Sequence, residues 1–218
     1  MTYPYTRRRS PRRIWAWLAL LSLTVAGLLW VIQGKEIAPP PRPTAGQAKA
    51  DADRAPETAP LINSLPESAP TRVKIPTINV DVPLTGLERN EEGGLNAPPP
   101  DNVKLAGWDA AGVTPGSTGT AVIAGHVDTA EGPAAFYGLG ALKKGAKIKV
   151  PREDGLTAHF VVDGVEEYEK NDFPDTKVYG QRTRPELRLI TCGGSYNKKD
   201  GYSGNVVVFA HLTGASAN

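Results

Sequence analysis

A run of 19 residues without a charged side chain, residues 14–32, sets the first limit on how this 218-residue chain can fold. As a helix, at about 1.5 Å per residue, the run would be about 28 Å long, close to the hydrocarbon thickness of a bilayer. Five arginines lie just before it, within residues 7–13, and tryptophans lie near both of its ends. We therefore predict a cytoplasmic basic segment at residues 1–13 and a transmembrane anchor at residues 14–32.

A cleaved signal peptide is the alternative to an anchor. Its apolar stretch would be shorter, roughly 7–15 residues, and small residues would mark a cleavage site. The run here is longer and ends in Leu28, Leu29, Trp30, Val31 and Ile32, which favours an uncleaved anchor. The prediction is a single-pass protein of the cell membrane, with a cytoplasmic N-terminus and an extracellular folded domain.

The composition changes after the apolar run. Residues 34–70 contain eight prolines and eight alanines, with few large apolar side chains. Such a stretch cannot bury enough surface to offset the entropy lost on ordering, and its prolines keep it extended. We predict a Pro/Ala-rich extracellular linker at residues 33–70.

The net charge of +2 comes from the N-terminus, because residues 36–218 hold 19 basic and 23 acidic residues. This mild acidic excess argues against nucleic-acid binding by the folded part.

The pattern beyond the linker is that of short strands. Alternating or wholly apolar stretches are separated by Gly and Pro at residues 72–84, 119–124, 147–150, 156–168, 187–191 and 205–212. Residues 136–142 favour a short helix. We predict an all-β barrel or sandwich with one or two short helices at residues 71–214, followed by a tail at residues 215–218.

The single cysteine, Cys192, excludes an intramolecular disulfide. It ends an apolar strand and precedes Gly193 and Gly194, which suits a nucleophilic thiol that has a base nearby. A small buried hydrophobe is the alternative. His126 also follows an apolar strand and a glycine, and an imidazole titrates close to neutral pH, as a general acid–base requires.

The other two histidines, His159 and His211, have no glycine turn and are predicted to be structural. A zinc site built from Cys192 and the histidines lacks the short ligand spacing of such sites. The acidic group of residues 166–175 could bind calcium, but a solvated face explains it. We predict no metal and no cofactor.

Three motifs in the same order resemble the sortases, the membrane-anchored cysteine transpeptidases of Gram-positive bacteria. They are Ala-Gly-His-Val-Asp-Thr at residues 124–129, Leu-Ile-Thr-Cys at residues 189–192 and Asn-Val-Val-Val at residues 205–208. Val-Lys-Ile-Pro at residues 73–76 and Pro-Gly-Ser-Thr-Gly at residues 115–119 extend the likeness. The Gly-His-Val-Asp and Cys-Gly-Gly versions are similar to the class E or F enzymes of high-GC Gram-positive bacteria.

The resemblance implies an eight-stranded sortase β-barrel and a two-step acyl transfer. Cys192 would attack the Thr–Gly bond of a signal similar to Leu-Pro-X-Thr-Gly and form a thioester. A primary amine would then resolve the thioester, with His126 moving the protons. The implied partners are surface proteins with C-terminal sorting signals, a peptidoglycan precursor or other primary amine, and the membrane.

One part of the family pattern is missing. Sortases carry an arginine in the strand after the cysteine, and counting along that strand gives Ser203 as its position here. Asn205 could donate to the oxyanion instead, and Thr191 could help to hold the substrate. The side chain of a lysine in the 195–201 loop, of Arg182 or of Arg184 could also extend to the oxyanion and take the place of the missing arginine.

Two other functions remain open at this stage. The missing arginine motivates a catalytically impaired sortase-like module that binds sorting signals or assembly partners. An L,D-transpeptidase also uses Cys and His, but its Ser-x-Gly-Cys-x-Arg pattern does not match the sequence around Cys192.

Overall fold

The computed structural model describes residues 38–48, 63–91 and 93–217. The predicted anchor at residues 14–32 lies outside these residues. In the part of the chain that is described, no helix has the length and apolarity needed to cross a bilayer. The description below concerns the compact unit that starts at Pro39.

This unit is built almost entirely from strands. In chain order they are β1 Arg72–Ile75, β2 Val80–Leu87, β3 Ala106–Asp109, β4 Gly119–Gly125, β5 Asp128–Thr129, β6 Gly132–Pro133, β7 Lys147–Pro151, β8 Leu156–Glu169, β9 Pro185–Asn197 and β10 Gly201–Ala217.

Eight of these strands close into a barrel in the order β1-β2-β3-β4-β9-β10-β8-β7, and β5 pairs only with β6. Most neighbours are antiparallel, but β2 with β3 and β4 with β9 are parallel. The predicted eight-stranded all-β barrel is therefore confirmed.

Strand alternation separates an inner core from an outer face. The barrel interior is filled by buried apolar side chains from all its strands, among them Ile75, Ile123, Phe160, Leu189 and Val208. A second group, which we call the outer cluster, packs against the outside of β4, β9 and β10. It consists of Val122, Val178, Ile190, Val207 and Phe209.

The helices differ in part from the prediction. Within residues 136–142 only a 3₁₀ turn forms, at Leu139–Ala141. The one α-helix in the described residues, α1 at Asp175–Tyr179, was not predicted. Its five residues are too few for an apolar periodicity to be visible, and its buried Val178 joins the outer cluster.

Two pieces of the predicted linker pack on the barrel. The backbone N–H of Leu65 donates to the Gly116 carbonyl at 2.8 Å, and buried Arg152 donates to the Pro66 carbonyl at 2.5 Å. Residues 39–48 contact the barrel separately, at the end where β9 and β4 terminate near Cys192.

Candidate active site

The parallel pairing of β4 with β9 sets the position of the predicted catalytic pair. The register aligns Ala124 with Ile190, so His126 and Cys192 each lie two residues beyond an aligned pair. Neighbouring strands lie about 4.8 Å apart, which makes these two residues neighbours at the same edge of the sheet. Because Ile190 belongs to the outer cluster, Cys192 faces outward as well.

A hydrogen bond from Thr191 joins β9 to the end of β4. Its buried hydroxyl donates to the Gly125 carbonyl at 2.8 Å. Gly125 itself permits a close approach, since a Cβ there would lie 2.7 Å from the Phe136 ring. Thr191 therefore supports the positions of His126 and Cys192, while its predicted contact with substrate stays a prediction.

The imidazole of His126 is held by a backbone carbonyl. Its Nε2 lies 2.7 Å from the oxygen of Pro98, which is a buried residue of the β2–β3 connection. A carbonyl oxygen can only accept a hydrogen bond, so Nε2 carries the proton. This leaves Nδ1 as the ring nitrogen that can accept a proton during catalysis.

The thiol of Cys192 is half-buried. Burial raises the pKa of Cys192, the positive charge of Lys170 opposes this shift, and the negative charge of Asp128 adds to it. The thiol form therefore dominates at neutral pH, and a base is needed to generate the thiolate nucleophile. His126, which the β4–β9 register brings beside Cys192, is the residue predicted to be this base.

A tyrosine and an aspartate lie beside the pair. The hydroxyl of Tyr202 on β10 donates to Asp128, which lies two residues after His126. Burial and this hydrogen bond raise the pKa of Tyr202, so its phenol stays protonated. The contact joins the β9–β10 hairpin to the short β5 strand that follows the catalytic histidine.

The pairing of β9 with β10 shows how the two candidate positions on β10 lie relative to Cys192. Asn205 lies directly opposite Cys192, whereas Ser203 lies further along and accepts from the Ser195 N–H at 3.1 Å. Asn205 is half-buried, and its side chain makes no hydrogen bond to any residue that the structure describes. Its amide is therefore available to a substrate at the nucleophile.

The arginines considered as substitutes are bound elsewhere. Arg188 is fully buried, stacks on Phe209 and donates to Glu186 at 2.6 Å. Arg184 donates to the same carboxylate at 2.8 Å, and Arg182 donates to the Lys177 carbonyl at 3.0 Å. They therefore belong to a buried network at the start of β9 and not to the site at Cys192.

The remaining polar candidates also lie outside the site. His159 bonds to Ser216 and His211 bonds to Asp163, as expected for structural histidines. Of the acidic group, Glu166 accepts from Lys177 at 2.7 Å. Within residues 38–48, 63–91 and 93–217, no three His, Cys, Asp or Glu side chains are arranged to hold a metal ion.

Three contributors to the site were not predicted: Pro98, Lys170 and Tyr202. Pro98 acts through its backbone, which leaves no side-chain signal in a sequence. Lys170 and Tyr202 approach only because β8 and β10 end at the same side of the barrel. Asp128 was visible in the motif after His126 but was given no role.

The closed barrel brings His126 and Cys192, the predicted proton carrier and the predicted nucleophile, to neighbouring positions. A family model described as the Sortase domain matches residues 73–213. The chain therefore belongs to the sortase family, whose members are cysteine transpeptidases.

Solved structures share the fold. Sortase A of Listeria monocytogenes matches with a TM-score of 0.51 and 16% identity, covering 70% of this chain and 92% of that one. A lid mutant of sortase A from Corynebacterium diphtheriae matches with a TM-score of 0.50 and 22% identity, covering 66% of this chain and 70% of that one. Sortase C-1 of Actinomyces oris matches with a TM-score of 0.50 and 20% identity, covering 66% of this chain and 74% of that one. The comparison with curated proteins gave no match.

Proposed function

We propose that this chain is a membrane-anchored, class E- or F-like sortase that cleaves a signal similar to Leu-Pro-X-Thr-Gly between Thr and Gly. The β4–β9 register carries the proposal, because it brings His126, the residue just after β4, beside Cys192 within β9. The proposed partners are secreted proteins with C-terminal sorting signals and a cell-wall amine. The basic segment and apolar run before residue 33 support an anchor in the cell membrane.

The reaction runs in two balanced steps. Nδ1 of His126 takes the proton of Cys192, and the thiolate attacks the threonine carbonyl carbon. The C–N bond to glycine breaks, a thioester forms, and the leaving amine receives the proton from His126. A primary amine then attacks the thioester, His126 takes its proton, and an amide forms as the thiolate leaves.

The developing oxyanion needs a donor, and we assign this role to Asn205. Its amide lies opposite Cys192 and is uncommitted among the described residues. A neutral amide donor is roughly half as strong as a charged one. The proposed enzyme is therefore slower than one with an arginine at this place.

The direct test incubates the full chain, in neutral detergent, with Leu-Pro-X-Thr-Gly and Leu-Ala-X-Thr-Gly peptides and with triglycine as the amine. Mass spectrometry should detect an acyl adduct on Cys192 and the transpeptidation product. Cys192→Ala should form neither, and His126→Ala should be slower by about 10²-fold or more. Product formation by Cys192→Ala would disprove the mechanism.

The same experiment tests the second candidate, a sortase-like binding module. The observation that favours it is that a neutral side chain, Asn205, lies opposite Cys192, and that the sequence has no arginine after Cys192. Saturable peptide binding without any adduct on Cys192, for every peptide tried, would support the module and exclude the transpeptidase.

Variants of Asn205 test the assigned donor. Asn205→Ala should lower kcat by about 10²-fold, as the loss of an oxyanion donor does elsewhere, and Asn205→Arg should exceed the native rate. Ser203→Ala is the matched control on the same strand and should keep the native kcat within about threefold. Steady-state assays with a sorting peptide measure all three, and equal kcat values for Asn205→Ala and native enzyme would contradict the assignment.

A further inference from the structure

A row of basic side chains crosses the outside of the barrel on β1, β7 and β8. Alternation in each strand places apolar residues in the core and the intervening residues outside. The outward group, which we call the cationic groove, includes Arg72, Lys74, Lys149, His159 and Ser216, and Lys147 precedes Lys149 on the same face of β7. We propose that the cationic groove binds the phosphate group of a phosphate mono- or diester.

The strand register brings like charges together. Lys74 lies directly opposite Lys149, and Lys149 lies directly opposite His159. Like charges placed opposite each other destabilise a sheet. A bound anion between these strands would attract both lysines and so offset their mutual repulsion. Anion binding would therefore explain why like charges face each other here.

The protein's own carboxylates neutralise only one side of the groove. Asp81 lies 2.7 Å from Arg72 and 3.6 Å from Lys74. Among the residues that the structure describes, no carboxylate lies within ion-pair distance of Lys147 or Lys149. The lysines of β7 therefore keep charge available for a ligand.

The field of these lysines acts on His159 in the same groove. Burial lowers the pKa of His159, and Lys149 and Lys147 lower it further. The ring therefore stays largely neutral at neutral pH, with its Nε2 bonded to the Ser216 hydroxyl at 2.9 Å. It would contact a ligand as a hydrogen-bond partner, beside lysines that supply the charge.

The shape of the site fits an anion with an attached group. The groove between these strands and the end of β10 has a volume of about 470 Å³. This exceeds the space of a bare ion, since one water occupies about 30 Å³. Its location is also separate from Cys192, because β1, β7 and β8 are neighbours of neither β4 nor β9.

The positive charge of the groove contrasts with the acidic excess of residues 36–218. Residues 36–218 carry more acidic than basic residues, yet the residues that line the groove include three positively charged side chains, those of Arg72, Lys74 and Lys149, and no acidic one. A concave, basic surface on an acidic domain indicates selection of an anion by this face rather than a general affinity for anions.

The test uses the full chain in dodecyl maltoside and isothermal titration with inorganic phosphate. We expect saturable binding that weakens at least about fivefold in the double variant Lys74→Gln/Lys149→Gln. The matched control Lys143→Gln/Lys144→Gln removes the same charge at exposed positions outside the groove and should bind within twofold of native. No saturable binding by the native chain, or equal losses in both double variants, would overturn the proposal.

Thermal unfolding supplies a second readout that also checks folding. Without phosphate, the groove variant should melt at or above the native temperature, because a repulsive pair has been removed. Phosphate should raise the melting temperature of the native chain and of the control, but not of the groove variant. An equal rise in all three proteins would contradict a specific site.

Further titrations identify the source of the phosphate. Glycerol 1-phosphate represents a soluble ester, and dihexanoyl phosphatidylglycerol, below its micelle concentration, represents a lipid headgroup. Dihexanoyl phosphatidylcholine is the zwitterionic control. Tighter binding of phosphatidylglycerol than of glycerol 1-phosphate would assign the groove to a lipid, and the reverse order would assign it to a soluble or polymeric ester.

Discussion

The burial of Cys192 and two neighbouring side-chain charges determine how readily its thiol reacts. Burial raises the pKa of its thiol above the usual value. The positive charge of Lys170 lowers this pKa, and the negative charge of Asp128 raises it. A thiol whose pKa is raised ionises only as the pH increases, so its thiolate fraction is small at neutral pH and rises toward alkaline pH. The resting enzyme is therefore protected from adventitious alkylation and depends on His126 for activation.

Alkylation by iodoacetamide should show this dependence. Below the thiol pKa the rate should rise about tenfold for each pH unit, with no plateau up to pH about 9. At pH 7.5, Asp128→Asn should raise the rate about threefold and Lys170→Gln should lower it by a similar factor. Mass spectrometry of samples quenched at successive times measures the rate of alkylation. A plateau of this rate below pH 7 would contradict the prediction, because it would show that a thiolate–imidazolium pair already exists in the resting enzyme.

The β2–β3 connection is the element that orients the catalytic histidine. Leu95 packs against the outer cluster and bridges to Arg89, and the N–H of Asn96 donates to the Glu88 carbonyl at 3.1 Å. These contacts hold the Pro98 carbonyl at the His126 ring. A backbone acceptor here does for the imidazole what a carboxylate does in a serine-protease triad.

An amide-to-ester change at residue 99 tests this element. Replacing Pro99 with lactic acid turns the Pro98 carbonyl into a weaker ester acceptor and removes no N–H, because proline has none. We expect kcat to fall about tenfold with KM unchanged, and ¹⁵N NMR of the imidazole to show less of the Nε2–H tautomer. Pro99→Ala controls for loss of the ring, and equal kcat and tautomer populations in the two proteins would contradict the orienting role.

At the scale of the whole molecule, residues 39–48 close one end of the barrel beside the nucleophile. Arg42 pairs with Glu167, and the Gln47 side chain donates to the Gly140 and Leu142 carbonyls. Between Pro40, Pro41 and the Cys192 strand end, a cavity of only about 10 Å³ remains. This is about the least that can hold a water, so the segment limits access to the thiol from this side.

Displacing this segment should expose Cys192. A Cβ on Gly140 would lie 1.9 Å from the Pro41 carbonyl oxygen, so Gly140→Ala forces residues 39–48 away without changing them. We expect faster alkylation of Cys192, by about threefold to tenfold, and new proteolytic cleavage within residues 39–48. Gly46→Ala is the control, because nothing lies within 4 Å of its Cβ, and unchanged rates in Gly140→Ala would show that the segment does not restrict the thiol.

The positions of Asn205 and Ser203 relative to Cys192 show what strand alternation leaves open. Alternation predicts that the two residues share a face of β10, but only the hydrogen-bond register shows that Asn205 lies directly opposite Cys192. The register is irregular between Tyr202 and Gly204, and such an irregularity carries no clear signal in a single sequence.

The amino-acid sequence by itself determined the all-β class and the positions of most strands along the chain, and it identified His126 and Cys192 as the candidate catalytic pair. It could do so because strand alternation and local motifs are properties of neighbouring residues. Tertiary structure alone decided the partners that arrive from distant parts of the chain: the Pro98 carbonyl at His126, Asn205 at Cys192 and the basic row formed by Lys74, Lys149 and His159. Such pairings follow from how the strands close into a barrel, and no local pattern encodes that closure.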